Sequence, residues 1–159
     1  MLSKIIDLKN IEQKIISLRK FGKTVVFTNG CFDLLHIGHI RYLAASKSKG
    51  DILVVGLNSD ESVRSIKGKA RPVICQEQRA EILASILWVD YVVMFSEPDP
   101  LKLIKVIKPD FLVKGADWSE DKIIGADFVK ANNGRVVTLP LVKDISTSII
   151  IKKILSSVC

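Results

Sequence analysis

The chain has 159 residues, 48% of them hydrophobic, with 24 Lys and Arg against 17 Asp and Glu for a formal charge of +7. That length suits one domain with a full core, no apolar run approaches the length of a membrane span, and Met1-Leu2-Ser3-Lys4 opens no signal-peptide pattern. Cys31, Cys75 and Cys159 are odd in number and lack CxxC spacing, which argues against a disulfide framework or a zinc site and for reduced thiols in the cytoplasm. The positive charge fits nucleotides, sugar phosphates or RNA and does not choose among them.

In chain order, Leu8, Ile11, Ile15 and Leu18 make one apolar stripe, predicting a leading helix over 8–20 that Gly22 stops. Thr24-Val25-Val26-Phe27-Thr28 reads as strand one, followed by a histidine-bearing turn and a helix ending near Gly50. The continuous apolar run 51–57 reads as a strand covered on both faces of a parallel sheet. Arg64 to Pro72 is polar, basic and holds Gly68, and reads as a mobile loop. A helix from about Gln76 is expected to bury Ile82, Leu83, Ile86 and Leu87. Tyr91 to Phe95 is strand three, Leu101 to Ile107 a helix and Phe111 to Lys114 strand four. A short helix then precedes Asn133-Gly134, Arg135 to Leu139 is strand five, and Thr147 to Leu155 is the last helix. Alternation of β and α throughout predicts an α/β fold: a Rossmann-like, doubly wound, five-stranded parallel sheet with helices on both faces. One domain covers 1–159, with a leading helix over 1–21 and the core over 24–155.

Ligands of such sheets bind beyond the carboxyl ends of the strands at the switch point, and the turn after strand one stands there. It reads Asn29-Gly30-Cys31-Phe32-Asp33-Leu34-Leu35-His36-Ile37-Gly38-His39 and holds the only two histidines in the sequence. His36 and His39, three apart, fall on one face of a first helical turn. Gly38 between them lets a ligand approach the backbone, and the helix N-terminus adds N–H groups and positive potential. Together these favour a phosphate chain. A zinc shared by the pair is the lesser rival, because only Asp33 stands near enough to help. Neither G-x-G-x-x-G after strand one nor a P-loop is present, which disfavours dinucleotide oxidoreductases and P-loop enzymes.

Other segments fit a phosphate ligand less specifically. Ser146, Thr147 and Ser148 precede the final helix, where Ser146 serves as an ordinary N-cap or the three hydroxyls form a second anion cradle. Arg64, Lys67, Lys69 and Arg71 are either a solvated basic loop or a flap that closes on a triphosphate. Asp117, after strand four, either reads a base or ribose or caps the next helix. Arg79 sits in a first helical turn, where the dipole prefers an acid. It therefore serves a ligand or pairs with a nearby carboxylate.

Gly30-Cys31-Phe32-Asp33-x-x-His36-x-Gly38-His39 with Ile145-Ser146-Thr147-Ser148 resembles the cytidylyltransferase-like nucleotidyltransferase superfamily over about 24–155. Within it, Phe27 to Asp33, Lys67 to Val73, Leu112 to Asp117 and Ser146 to Ile154 are most similar to the D-glycero-β-D-manno-heptose 1-phosphate adenylyltransferase branch. The glycerol-3-phosphate cytidylyltransferases typically carry an arginine two residues before Gly-Ile-Ser-Thr. Here Leu141-Val142 and Asp144 stand in that stretch, which speaks against cytosine recognition. The lack of a kinase-like segment upstream implies the stand-alone form.

The resemblance implies direct transfer of AMP from ATP to a sugar 1-phosphate, giving ADP-heptose and pyrophosphate. The phosphate nucleophile is already anionic, its second pKa being about 6, so no general base is required. In this scheme His36, His39 and Lys67 are catalytic. Asn29, Gly30, Cys31, Phe32, Gly38, Lys114, Gly115, Asp117, Ser146, Thr147 and Ser148 hold the nucleotide. Asp33, Asn58, Asp60, Arg64, Arg71 and Arg79 serve the acceptor, and Mg²⁺ rides with ATP, touched by Asp33 or by waters. Expected partners are ATP and the sugar phosphate, with a separate heptose kinase and phosphatase in the pathway. No nucleic acid and no membrane is expected, and a homo-oligomer is left open. The rival from another class is a non-catalytic nucleotide- or RNA-binding domain, which would not need both histidines and the basic loop together.

Overall fold

In the computed structural model, residues 2–157 are described; Met1, Val158 and Cys159, and with Cys159 the third thiol, lie outside them. Five parallel strands form one sheet in the order β3-β2-β1-β4-β5. They are β1 (Val25–Gly30), β2 (Ile52–Asn58), β3 (Tyr91–Phe95), β4 (Phe111–Gly115) and β5 (Arg135–Leu139). The helices are α1 (Leu8–Lys20), α2 (Ile37–Lys47), α3 (Asp60–Lys67), α4 (Gln76–Ala84), α5 (Leu101–Ile107), α6 (Ala126–Ala131) and α7 (Thr147–Ser157), with 3₁₀ turns at Leu2–Lys4 and Glu120–Lys122.

Period-two alternation sorts the central strands onto two cores. Val25 and Phe27 of β1 point to the face covered by α1, α5 and α6, with Ile11, Ile15, Leu103, Ile104 and Val129. Val26 points the other way, to the face of α2 and α4, with Leu43, Ala80 and Leu83. Burial on both faces accounts for the unbroken apolar run of β2. At the amino ends of the strands, Asp110, Asp51 and Asp90 accept the amides of Val25, Thr24 and Leu53 at 2.7, 2.9 and 2.7 Å. That edge is closed by its own side chains. The chain winds outward from β1 through β2 to β3, then returns through α5 to β4 on the other side, so the switch point lies between β1 and β4.

Two expectations need correction. Arg64 and Lys67 are not in a loop: α3 runs Asp60–Lys67, and the loop is confined to 68–75. Ser59 caps that helix through the Ser62 amide, Asp60 and Glu61 occupy its positive end, and Arg64 and Lys67 its negative end. The basic character that suggested a loop is therefore dipole compensation on a short helix. In α4 the buried face is Arg79, Ala80, Leu83 and Ala84, while Ile82 and, beyond the helix, Leu87 are exposed and Ile86 is partly buried. An arginine occupies the inward position that the apolar pattern assigned to larger aliphatic residues.

Candidate active site

A cavity of about 650 Å³ opens at the carboxyl ends of β1, β2 and β4. All of the residues singled out from sequence line it except Asp60, Arg64, Lys69 and Arg79. Its floor is the turn between β1 and α2, and the geometry there fixes the state of both histidines.

His36 is the N-cap of α2. Its Nδ1 accepts the Gly38 amide at 3.2 Å, and His39 Nδ1 accepts the His36 amide at 3.3 Å. An imidazole whose Nδ1 accepts carries its proton on Nε2. Each ring therefore offers an Nε2–H donor, and both residues line the cavity. The ring centroids are 3.9 Å apart. Burial lowers the His36 pKa, and burial followed by the nearness of His36 pushes His39 down to about 4. The pair is thus neutral near pH 7 and presents N–H dipoles. Of the first amides of this helix, that of Gly38 is taken by the His36 imidazole and those of His39 and Ile40 by the His36 carbonyl.

Phe32 holds the turn from beneath. It is buried, lies 5.5 Å from the His39 ring, and takes φ +43°, a left-handed conformation that costs a bulky residue energy. A Cβ on residue 30 would stand 3.2 Å from the Phe32 ring, so Gly30 makes room for that anchor. Asp33 is also an anchor. Its buried carboxylate accepts Arg71 Nε at 2.6 Å and the Val73 and Ile74 amides at 2.9–3.0 Å. Burial alone would raise its pKa; those amides and Arg71 outweigh it and hold the carboxyl below its ordinary value. Asp33, expected to serve the acceptor or a metal, lines the cavity with both oxygens engaged in tying the 68–75 loop to the histidine turn. Among the described residues no cluster of three or more His, Cys, Asp or Glu is placed to hold a metal ion.

On the β4 side, Lys114 Nζ donates to Asn29 Oδ1 at 2.5 Å and lies 5.9 Å from the centre of the Trp118 ring. Burial lowers its pKa to about 8, with Asp117 and Cys31 pulling the other way. Burial raises the Cys31 thiol, against Lys67, Arg79 and Arg71. Ser146 Oγ accepts the Ile149 amide at 3.2 Å and so caps α7, while Thr147 Oγ1 donates to the Leu34 carbonyl at 2.9 Å and fastens the helix to the histidine turn. Lys67, at the end of α3, reaches the cavity from the β2 side.

Arg79 and Asp60 do not face the cavity. Arg79 is 1% exposed and donates to the carbonyls of Ile74, Cys31 and Asn58 and to the Asp60 carboxylate at 2.7 Å. The pairing alternative holds for Arg79, and the ligand roles of both residues are corrected. Arg64 is exposed on α3 and outside the cavity, which corrects its role as well. The sequence reading missed Tyr42, the 98–100 segment, Ile66, Ile123 and Ile124, and read Leu141 and Val142 only as a departure from the cytidylyl branch. Tyr42 shares a 2.7 Å hydrogen bond with Thr28 and donates to Val113 O, bracing α2 against β1 and β4, and burial raises its pKa to about 12. The 98–100 and 141–145 segments follow β3 and β5, and the strand-end rule that selected the histidine turn also selects them.

A cavity lined by paired imidazoles, lysines and a helix end at the switch point of a β3-β2-β1-β4-β5 parallel sheet is the architecture of a nucleotidyltransferase-type α/β protein. The family described as Cytidylyltransferase-like matches residues 27–153, and the chain belongs to that family. It is 52% identical over 155 residues, 98% of its length, to the bifunctional protein HldE of Citrifermentans bemidjiense, and 53% identical over 149 residues, 90% of its length, to that of Campylobacter fetus. It spans about a third of those relatives, 32% of each. Among solved structures, the lipopolysaccharide core biosynthesis protein of Thermoplasma volcanium is 31% identical at a TM-score of 0.62, over 78% of this chain and 100% of that one. The pantoate-beta-alanine ligase of Francisella tularensis shares the fold, at 21% identity and a TM-score of 0.65 over 97% and 77%. No helix among the described residues is long and apolar enough to cross a membrane.

Proposed function

We propose that the chain transfers AMP from ATP to D-glycero-β-D-manno-heptose 1-phosphate, releasing pyrophosphate and ADP-heptose. The observation that carries this reading is the convergence on one cavity of two imidazole Nε2–H donors, Lys67, Lys114 and the first turn of α7. These are cationic or N–H groups suited to a triphosphate. The half-identical HldE relatives and the family match support adenylyl transfer to a heptose phosphate, and Val142 and Asp144 stand where the cytidylyl branch carries arginine and glycine.

A phosphate oxygen of the sugar phosphate attacks the α-phosphorus, the bond to the bridging oxygen breaks in line, and pyrophosphate leaves with that electron pair. The nucleophile is already anionic, so His36 and His39 need take no proton. Their Nε2–H groups donate to the phosphoryl oxygens as charge gathers there. Lys67, with Lys114 and the α7 turn, holds the triphosphate. When bound, Mg²⁺ neutralises phosphate charge. Asp33 does not fit as its ligand, and the ion in this reading is held by ATP phosphates and water. Use of ATP, and the free thiols of Cys31 and Cys75, support a cytoplasmic place for the reaction. Heptose kinase and phosphatase activities would supply the sugar 1-phosphate it consumes. Pyrophosphate release with ATP and the heptose phosphate, against CTP and glycerol 3-phosphate, tests the assignment. A kcat/KM for the CTP pair equal to or above that of the ATP pair overturns the substrates, and ATP binding without turnover of any sugar phosphate favours the binding-domain alternative.

A further inference from the structure

Resting on that reaction, we infer that Asn58 and Asp99 form the subsite for the hydroxyls of the acceptor sugar, with Asp99 the specificity-determining residue. The cavity has two chemically different ends. Toward β4 and α7 it offers cations, N–H groups and the Trp118 ring. Beyond β2 and β3 it is lined by Asn58, Asp99, Pro98, Pro100 and Ile66, with Lys67 at the boundary.

The amide of Asn58 is oriented by its neighbours. Ser62 Oγ donates to the Glu97 carbonyl at 3.5 Å and must therefore accept from Asn58, whose Nδ2 lies 2.9 Å away. That leaves Oδ1 as the open end of a side chain that is only 4% exposed and lines the cavity, and among the described residues no donor reaches it. Asp99 spends one carboxylate oxygen on the Leu101 amide, at 2.8 Å at the start of α5, and keeps the other. The Asn58–Ser62–Glu97 chain holds these two segments together. Both open groups are acceptors and one is a carboxylate, so this end repels phosphate and accepts from hydroxyls. Pro98 and Ile66 supply apolar surface for the C–H face of a sugar ring, leaving the acceptor phosphate to Lys67 and the histidines. The structure thereby replaces Asp60, which Arg79 holds outside the cavity, with Asp99.

The test compares wild type with Asp99→Asn, which can still accept the Leu101 amide, and Asp99→Ala, which cannot. Loss of a charged hydrogen bond should raise KM for the heptose phosphate about tenfold or more in both, with the Kd for ATP within about twofold. A site that pairs polar groups with substrate hydroxyls rejects acceptors lacking them. The wild-type preference for the heptose phosphate over glycerol 3-phosphate, both with ATP, should accordingly shrink in both variants. Unchanged KM and unchanged preference in variants that bind ATP normally would overturn the subsite while leaving adenylyl transfer intact. A wild-type enzyme that binds ATP but turns over no sugar phosphate would overturn the reaction itself and this inference with it.

Discussion

His36 and Gly38 are fitted to each other: the imidazole Nδ1 accepts the Gly38 amide at 3.2 Å, and a Cβ added at residue 38 would stand 2.9 Å from the ring. The absent side chain thus makes room for the imidazole. Gly38→Ala should strengthen the helix as such, since alanine is the better helix former, yet push the ring off its amide. A displacement of about 1 Å can cost around 10²-fold, so kcat should fall at least about tenfold while the melting temperature stays within a few degrees. Wild-type kcat in this variant would show that the ring position is unimportant.

The histidines themselves should matter through the transition state. His36→Ala and His39→Ala should each lower kcat by roughly 10²–10³-fold, the loss expected for one donor to developing charge, with a smaller effect on ATP affinity. Steady-state kinetics and direct ATP titration separate the two. Near-normal turnover in either variant would mean that the motif only shapes the turn.

The same burial makes the histidines acid-labile. Their folded pKa values lie below the ordinary value, that of His39 at about 4, so below pH about 6.5 the unfolded chain binds protons that the folded chain refuses. Stability should be fully present above about pH 6.5 and fall as pH drops toward 4. Asp33, with its depressed pKa, adds a further loss only below its ordinary range. Proton NMR resolves this directly, because the chain has two histidines. An imidazole titrating near 6.5 at both positions would contradict the buried, neutral pair.

The sheet, its order of elements and most of the site were legible because strands covered on both faces must be continuously apolar and ligands gather at strand ends. The histidine turn was legible from spacing alone. Asp33 and Arg79 were not, since a carboxylate that anchors a loop and one that serves a ligand have the same letter. What separates them is which amides fold around them: for Asp33 those of residues forty positions away. Arg64 and Lys67 misled for a different reason, charge at a helix C-terminus looking in sequence like charge in a loop. Asp99 was legible in principle, standing just past β3.

Lys67 ends α3, and Gly68 follows at φ +94°, while Arg71 is held to Asp33. The arm between these two anchors is 68–70, an exposed turn that the Arg71 amide closes on Gly68 O at 3.1 Å. Lys67→Ala should lower kcat and weaken triphosphate binding about tenfold or more, as for a lost charge-assisted bond, and added salt should mimic it only in part if the arm closes over the ligand. Proteolysis near Gly68 should slow when ATP is present. Equal cleavage with and without ATP would leave Lys67 on an ordinary solvated helix end.

Arg79 joins three segments, the histidine turn through Cys31 O, the end of β2 through Asn58 O and the 68–75 loop through Ile74 O, and its charge is met by Asp60. Removing one partner of a buried pair typically costs about 3–5 kcal/mol because the other is left uncompensated. Here three carbonyls lose their donor as well, so Arg79→Met should lower the urea midpoint by about 1 M or more. Arg79→Lys should restore little: an ammonium is a compact charge that cannot reproduce the planar fork bridging these carbonyls. Cys31 and Asn58 stand on opposite ends of the cavity, so any folded fraction of Arg79→Lys should show raised KM for both substrates. A lysine variant within about 1 kcal/mol of wild type, with both KM values unchanged, would reduce Arg79 to a replaceable core cation.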